Sequence, residues 1–169
     1  MLTPSQSAIV TETLRVALAA AAGDVDGAHL ASLARAAAAL APAETAEPHP
    51  AWPGVGTSVV RERVVGPDDT AAAMGHPDDG VQVLGSPRLS LWFELVSCEL
   101  LPVPSPELTH VGAGILVHHL GRADVGEPVA LEATVASVSG RRAVFTCRAS
   151  AGDRLVGLGV HHRALLVPR

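Results

Sequence analysis

The stretch that decides the fold is "GSPRLSLWFELVSCELL", residues 85–101. Ser86-Pro87 is a good helix opening, a hydroxyl followed by the proline that suits a first helical position. Leu89, Leu91, Trp92, Phe93, Leu95 and Val96 then place apolar side chains on every side of the wheel. A helix over about 87–101, stopped by "PVPSP", is expected, and it must be covered on most sides. Inside it stands one carboxylate, Glu94. A charged group is almost never buried without a partner. Glu94 therefore either lies on a solvated stripe with Arg88 and Glu99 or belongs to a site.

The sequence downstream of the helix is β in character. "THVGAGILVHHL" (109–120) reads as one strand. "PVALEATVASV" (128–138) alternates, with Val129, Leu131, Ala133 and Val135 on one face against Glu132 and Thr134. Ser139-Gly140 and Gly152-Asp153 are tight-turn signals leading into strands over 141–151 and 154–167. Upstream, "GTSVVRERVV" (56–65) has strand character, and residues 66–80 read as a loop with a helical turn near 69–74. The order is strand, loop, one apolar helix, four strands. A strongly curved antiparallel sheet wrapped around a single helix buries such a helix. That α+β arrangement is the hot-dog architecture. Its open sheet edge predicts a homodimer.

Upstream of residue 54 the composition changes. Thr3-Pro4 can start a helix reaching about Ala22, and Asp26 can cap a second. Residues 1–45 thus read as an alanine-rich helical hairpin, 46–55 as a proline-rich linker or a segment draped on the surface, and 56–169 as the main domain. The hairpin can be an appendage packed on the sheet or a lid over a pocket.

Of the residues, 48% are hydrophobic, 17% charged and 2% aromatic, with no Tyr, which suits a packed core and excludes a disordered chain. The net charge is −5, all twelve cationic residues are Arg, and no basic block appears, which argues against nucleic-acid binding. Cys98 and Cys147 form no CxxC and read as reduced, buried thiols. The run "VALAAAAG" is too short to span a bilayer and lacks a cleavage context, so a cytoplasmic protein without membrane association is expected.

Several polar groups then stand out. His118 and His119 end a strand and point to opposite faces, so one should meet the helix. His161 and His162 repeat the pattern on the last strand. No Asp, Glu or Cys at ligand spacing accompanies these pairs, and no metal is expected. Asp68-Asp69 and Asp78-Asp79 read as solvated loop acids. Gly112 and Gly114 inside a strand suggest a bulge or the close approach of a ligand.

Taken together, these motifs resemble the fluoroacetyl-CoA thioesterase-like group of hot-dog proteins. Those carry a helix opening Thr-Pro with a Glu eight residues on, a strand beginning Val-Gly-Thr with a His seven after the Gly, a further Gly at His-x6-Gly, a Gly-Arg-Arg turn and a last strand with Gly-x-His-x-Arg. The matching residues here are Ser86-Pro87, Glu94, Val111-Gly112, His119, Gly126, Gly140-Arg141-Arg142, Gly159, His161 and Arg163. Ser86 replaces the Thr and keeps the hydroxyl; Ala113 stands where the second Thr would be. The segment before the helix, about 74–84, has no aromatic side chain to form a lid.

The resemblance implies catalytic roles for Ser86, Glu94 and His119, with Pro87, Gly112 and Ala113 near the substrate. It implies hydrolysis of a small or medium acyl-CoA or acyl-carrier-protein thioester. Coenzyme A or phosphopantetheine would enter as part of the substrate, with no separate cofactor. Glu94 would be nucleophile or general base, His119 would move protons and Ser86 would bond the substrate. Backbone N–H groups at the helix start or near Gly112 would receive the oxyanion. The alternatives are a hot-dog dehydratase or biosynthetic rearrangement, and a non-catalytic module that binds an acyl thioester or small metabolite.

Overall fold

The protein is described by a computed structural model over residues 46–78 and 80–166, with isolated positions 11, 12, 15, 19 and 32. The expected N-terminal hairpin lies outside the described residues apart from those positions. Within the described residues from 46 onward, five strands and one α-helix follow the expected order: β1 (Ser58–Val64), α1 (Ser86–Cys98), β2 (Thr109–His119), β3 (Pro128–Ser139), β4 (Arg142–Ala151) and β5 (Arg154–Leu166). Two 3-10 turns, Pro67–Asp69 and Ala72–Met74, stand where one helical turn was expected.

All neighbouring strands are antiparallel, in the order β1-β3-β4-β5-β2. The β3–β4–β5 meander is joined by two-residue turns at Gly140 and Gly152, whose φ of +50° and +55° suit tight hairpins. The sheet curls around α1, which touches every strand. Val129, Leu131, Ala133 and Val135 alternate inward as the pattern required and are fully buried. β5 meets the helix with glycine. A Cβ on Gly157 would stand 2.7 Å from Leu89 Cδ2, and one on Gly159 would stand 2.8 Å from Phe93 Cδ2. Only backbone without a side chain lets the helix lie this close.

α1 is shorter than 87–101. After Cys98 the chain tightens into turns in which the N–H groups of Leu100 and Leu101 bond the carbonyls of Ser97 and Cys98. The helix is covered on its Leu89, Trp92, Phe93 and Val96 side, whereas Leu91 and Leu95 stay exposed. Those two share a helix face with Glu94.

Asp69 is no solvated loop acid. Its carbonyl accepts the Gly85 N–H at 2.8 Å, and its carboxylate accepts the Gly66 N–H at 2.9 Å and pairs with Arg88 at 2.8 Å. These contacts fix where α1 begins. The segment 46–57 is docked. Gly140 O accepts from the His49 N–H at 2.8 Å and from Trp52 Nε1 at 3.2 Å, and Trp52 packs with Val135, Ala143, Phe145 and Leu165. Among the described residues no helix is long and apolar enough to cross a membrane.

Candidate active site

The helix begins one residue earlier than its cap signal suggested. Gly85 is the N-cap, with no side-chain cap bond, and Ser86 is the first helical residue. The Ser86 hydroxyl is thereby released from capping. It lies 2.9 Å from Nδ1 of His119, at the end of β2. His119 is the member of the histidine pair that faces the helix. His118 points the other way, with Nε2 buried and unpartnered. Burial lowers the pKa of His119, partly opposed by the Gly121 carbonyl, so its imidazole is neutral near pH 7. A neutral imidazole beside a hydroxyl is a proton-transfer pair.

Two turns further along α1, Glu94 meets β5 and β2. Arg163 donates from Nη1 to Glu94 Oε1 at 3.0 Å. The Arg163 side chain is 5% exposed and that of Glu94 42%, so the guanidinium is the buried half of the pair and the carboxylate the accessible half. Arg163 also donates from Nη2 to His110 Nδ1 at 2.9 Å and, more weakly, to His110 O at 3.4 Å. Gly112 is pressed against this carboxylate: a Cβ there would stand 3.2 Å from Glu94 Oε1 and 3.6 Å from His161 Nε2. The ladder between β2 and β5 shifts register between Gly112 and Gly114, so the expected bulge is present with Ala113 as its extra, exposed residue.

His161 completes the floor. It is 1% exposed, its Nδ1 has no partner, and its pKa is pushed down to about 4 by burial and then by Arg163, with Glu94 opposing. Cys98, on the same helix, has its thiol pKa raised by burial, with Arg163 and Glu94 acting in opposite directions.

The structure therefore brings the expected residues together as two groups. Ser86, Pro87 and His119 lie at the N-terminal end of α1. Glu94, Gly112 and the bulge residue Ala113 lie toward its other end. Eight residues of helix separate Ser86 from Glu94, about 12 Å. His119 bonds Ser86, while the hydrogen-bond partner of Glu94 is Arg163. Arg163 stood in the sequence only as part of a motif, with no role attached: in Gly159-x-His161-x-Arg163 the period of two puts all three residues on the helix face of β5. His110 carried no signal of its own. Among the described residues no group of three or more His, Cys, Asp or Glu could hold a metal ion.

A family model described as FlK, fluoroacetyl-CoA-specific thioesterase, matches residues 65–168. Among solved structures, a variant of the fluoroacetyl-CoA-specific thioesterase FlK in complex with fluoroacetate and CoA is 25% identical. That match covers 68% of this chain and 96% of the other, with a TM-score of 0.61. A hot-dog-like protein from Thermanaerovibrio acidaminovorans is 24% identical over 69% of this chain and 84% of that one, with a TM-score of 0.61. A thioesterase superfamily member from Thermus thermophilus is 22% identical over 68% and 84% of the two chains, with a TM-score of 0.59. No curated protein matches.

Proposed function

Because this chain belongs to the fluoroacetyl-CoA-specific thioesterase family, we propose that it hydrolyses a small or medium acyl thioester of coenzyme A or an acyl carrier protein. The observation that carries this reading is the Ser86–His119 hydrogen bond at 2.9 Å, which pairs a hydroxyl with a neutral imidazole where α1 meets the sheet. Glu94 supplies the carboxylate on the same helix, held by a buried guanidinium yet open to solvent.

Hydrolysis then runs as follows. Glu94 takes a proton from water as the water oxygen bonds the thioester carbonyl carbon. Backbone N–H groups at the start of α1 or beside Gly112 receive the oxyanion. The C–S bond breaks, and the departing thiolate is protonated through the Ser86–His119 pair, which is recharged by the proton that Glu94 took from the water, so Glu94 returns to its carboxylate. Direct attack by the carboxylate, with water resolving the anhydride, uses the same groups.

A homodimer closes the distance between the two groups. Among the described residues β2 is a sheet edge, paired only with β5. Exposed Ile115 lies at its middle, and Leu91 and Leu95 are exposed on the helix face that carries Glu94. Antiparallel pairing of two β2 edges about a two-fold axis beside Ile115 sets His119 of one copy against Gly112 of the other, on the same sheet face. Glu94 of one protomer then faces Ser86 and His119 of its partner.

The test is thiol release from a panel of acyl-CoAs and acyl-pantetheines. Turnover of at least one is expected, with Glu94→Gln and His119→Ala each costing on the order of a hundredfold or more in kcat. No turnover of any substrate, or a Glu94→Gln enzyme at the wild-type rate, overturns the proposal.

A further inference from the structure

Arg163 is a fork whose two ends have different partners. Nη1 reaches Glu94 Oε1 at 3.0 Å and Nη2 reaches His110 Nδ1 at 2.9 Å, while Nε is buried without a partner. The residue is 4% exposed, so its guanidinium has little access to water that could replace a lost bond. Guanidinium only donates, so Nδ1 of His110 must present a lone pair and any ring proton must sit on Nε2. We propose that His110 is a positioning residue, whose neutral Nδ1 holds one end of Arg163 so that the other end fixes the Glu94 carboxylate. This inference rests on the thioester-hydrolase reading.

The surroundings of His110 agree with that role. Arg163 faces it from β5, and the Pro102 carbonyl faces it from the connection between α1 and β2. Beyond the guanidinium stand Glu94 and Cys98 of α1 and His161 of β5. Burial and Arg163 lower the imidazole pKa, against the carbonyls of Pro102 and His110 itself. The ring is therefore neutral at pH 7. Protonation at lower pH removes the acceptor and sets a second cation against Arg163, which frees the fork and lets the half-exposed carboxylate drift.

The first measurement is the tautomer of His110 in the full-length protein by 15N NMR. A neutral ring protonated on Nε2 at pH 7 is expected. An imidazolium, or a ring protonated on Nδ1, overturns the inference whether or not the protein is active.

The second is kinetic. His110→Ala should lower kcat on the order of tenfold or more with KM almost unchanged, because a misplaced reacting group costs rate more than binding. His110→Asn, whose Oδ1 can accept at the Nδ1 position but never protonates, should restore kcat and move the acid limb of the rate profile to lower pH. A wild-type enzyme that turns over thioesters while His110→Ala matches it in kcat refutes the positioning role and leaves the hydrolase reading standing. A wild-type protein without turnover refutes the hydrolase reading, and the tautomer then decides the brace. If His110→Ala does not fold, a His110→Asn enzyme that keeps the wild-type acid limb overturns the role.

Discussion

His161 shows what a single buried side chain costs. It is 1% exposed and packs 6.3 Å, centroid to centroid, from the ring of Phe145, with Arg163 two residues on. A cation there would lack water and face another cation, which is why the pKa falls to about 4. In the unfolded chain the same imidazole protonates near 6.5. The folded state thus binds fewer protons between these values. Its stability is full above pH 6.5 and is lost as pH falls toward 4, by about 3 kcal/mol for this residue alone. Burial is also the largest influence on His110, His118, His119 and His162, all shifted in the same direction. Urea titrations at pH 7 and pH 4 should show the loss, and His161→Gln should show less of it. A pH-independent midpoint would contradict this account. Strand alternation required one of two adjacent histidines to turn toward the helix; that it is His119, and that it is grouped with Ser86, was legible only through the family resemblance. The Glu94–Arg163 pair was not assigned, because their separation of 69 positions carries no local periodicity.

At the scale of the element, α1 depends on the missing side chains of β5. A methyl group on Gly159 would stand 2.8 Å from Phe93 Cδ2 and 3.0 Å from the Leu116 carbonyl oxygen, so either the helix or the β2–β5 ladder must move. Gly159→Ala should cost about 1–3 kcal/mol, the usual range for overpacking. Gly54→Ala, where the new carbon meets only Thr57 Oγ1 at 3.8 Å, should be close to neutral in the same denaturant series. Equal stabilities for the two variants would refute the close-packing argument. The strands themselves were legible to within a residue or two, because glycine turns end them and alternation orients them. The helix end was less so: Leu100 and Leu101 continue the apolar pattern, yet the backbone tightens before they are reached. Composition marks where a helix is possible, and backbone geometry decides where it stops.

For the whole molecule, the apolar groups left open by one chain define its expected assembly. Ile115 at the middle of β2 is 40% exposed, and Leu91 and Leu95 on α1 are 41% and 39% exposed. Ile115→Glu places a charge at the centre of the proposed strand pairing and should yield monomers in sedimentation velocity, with activity falling in parallel. A variant that stays dimeric and active would place the interface elsewhere. The sheet order and the single wrapped helix were readable from the strand–helix–strand order. The docking of 46–57 was readable only as one of two alternatives, because a proline-rich stretch suits a linker or a draped segment whether or not one of its side chains finds a slot. That slot has an optical consequence. The chain has two tryptophans and no tyrosine. Trp52 belongs to the cluster at the β3–β4 turn and Trp92 to the cluster beneath α1. Each indole is therefore a fluorescent reporter for its own territory, and Trp52→Phe silences one without touching the other. Release of the N-terminal tether and melting of the core can be followed as separate events in a single emission trace.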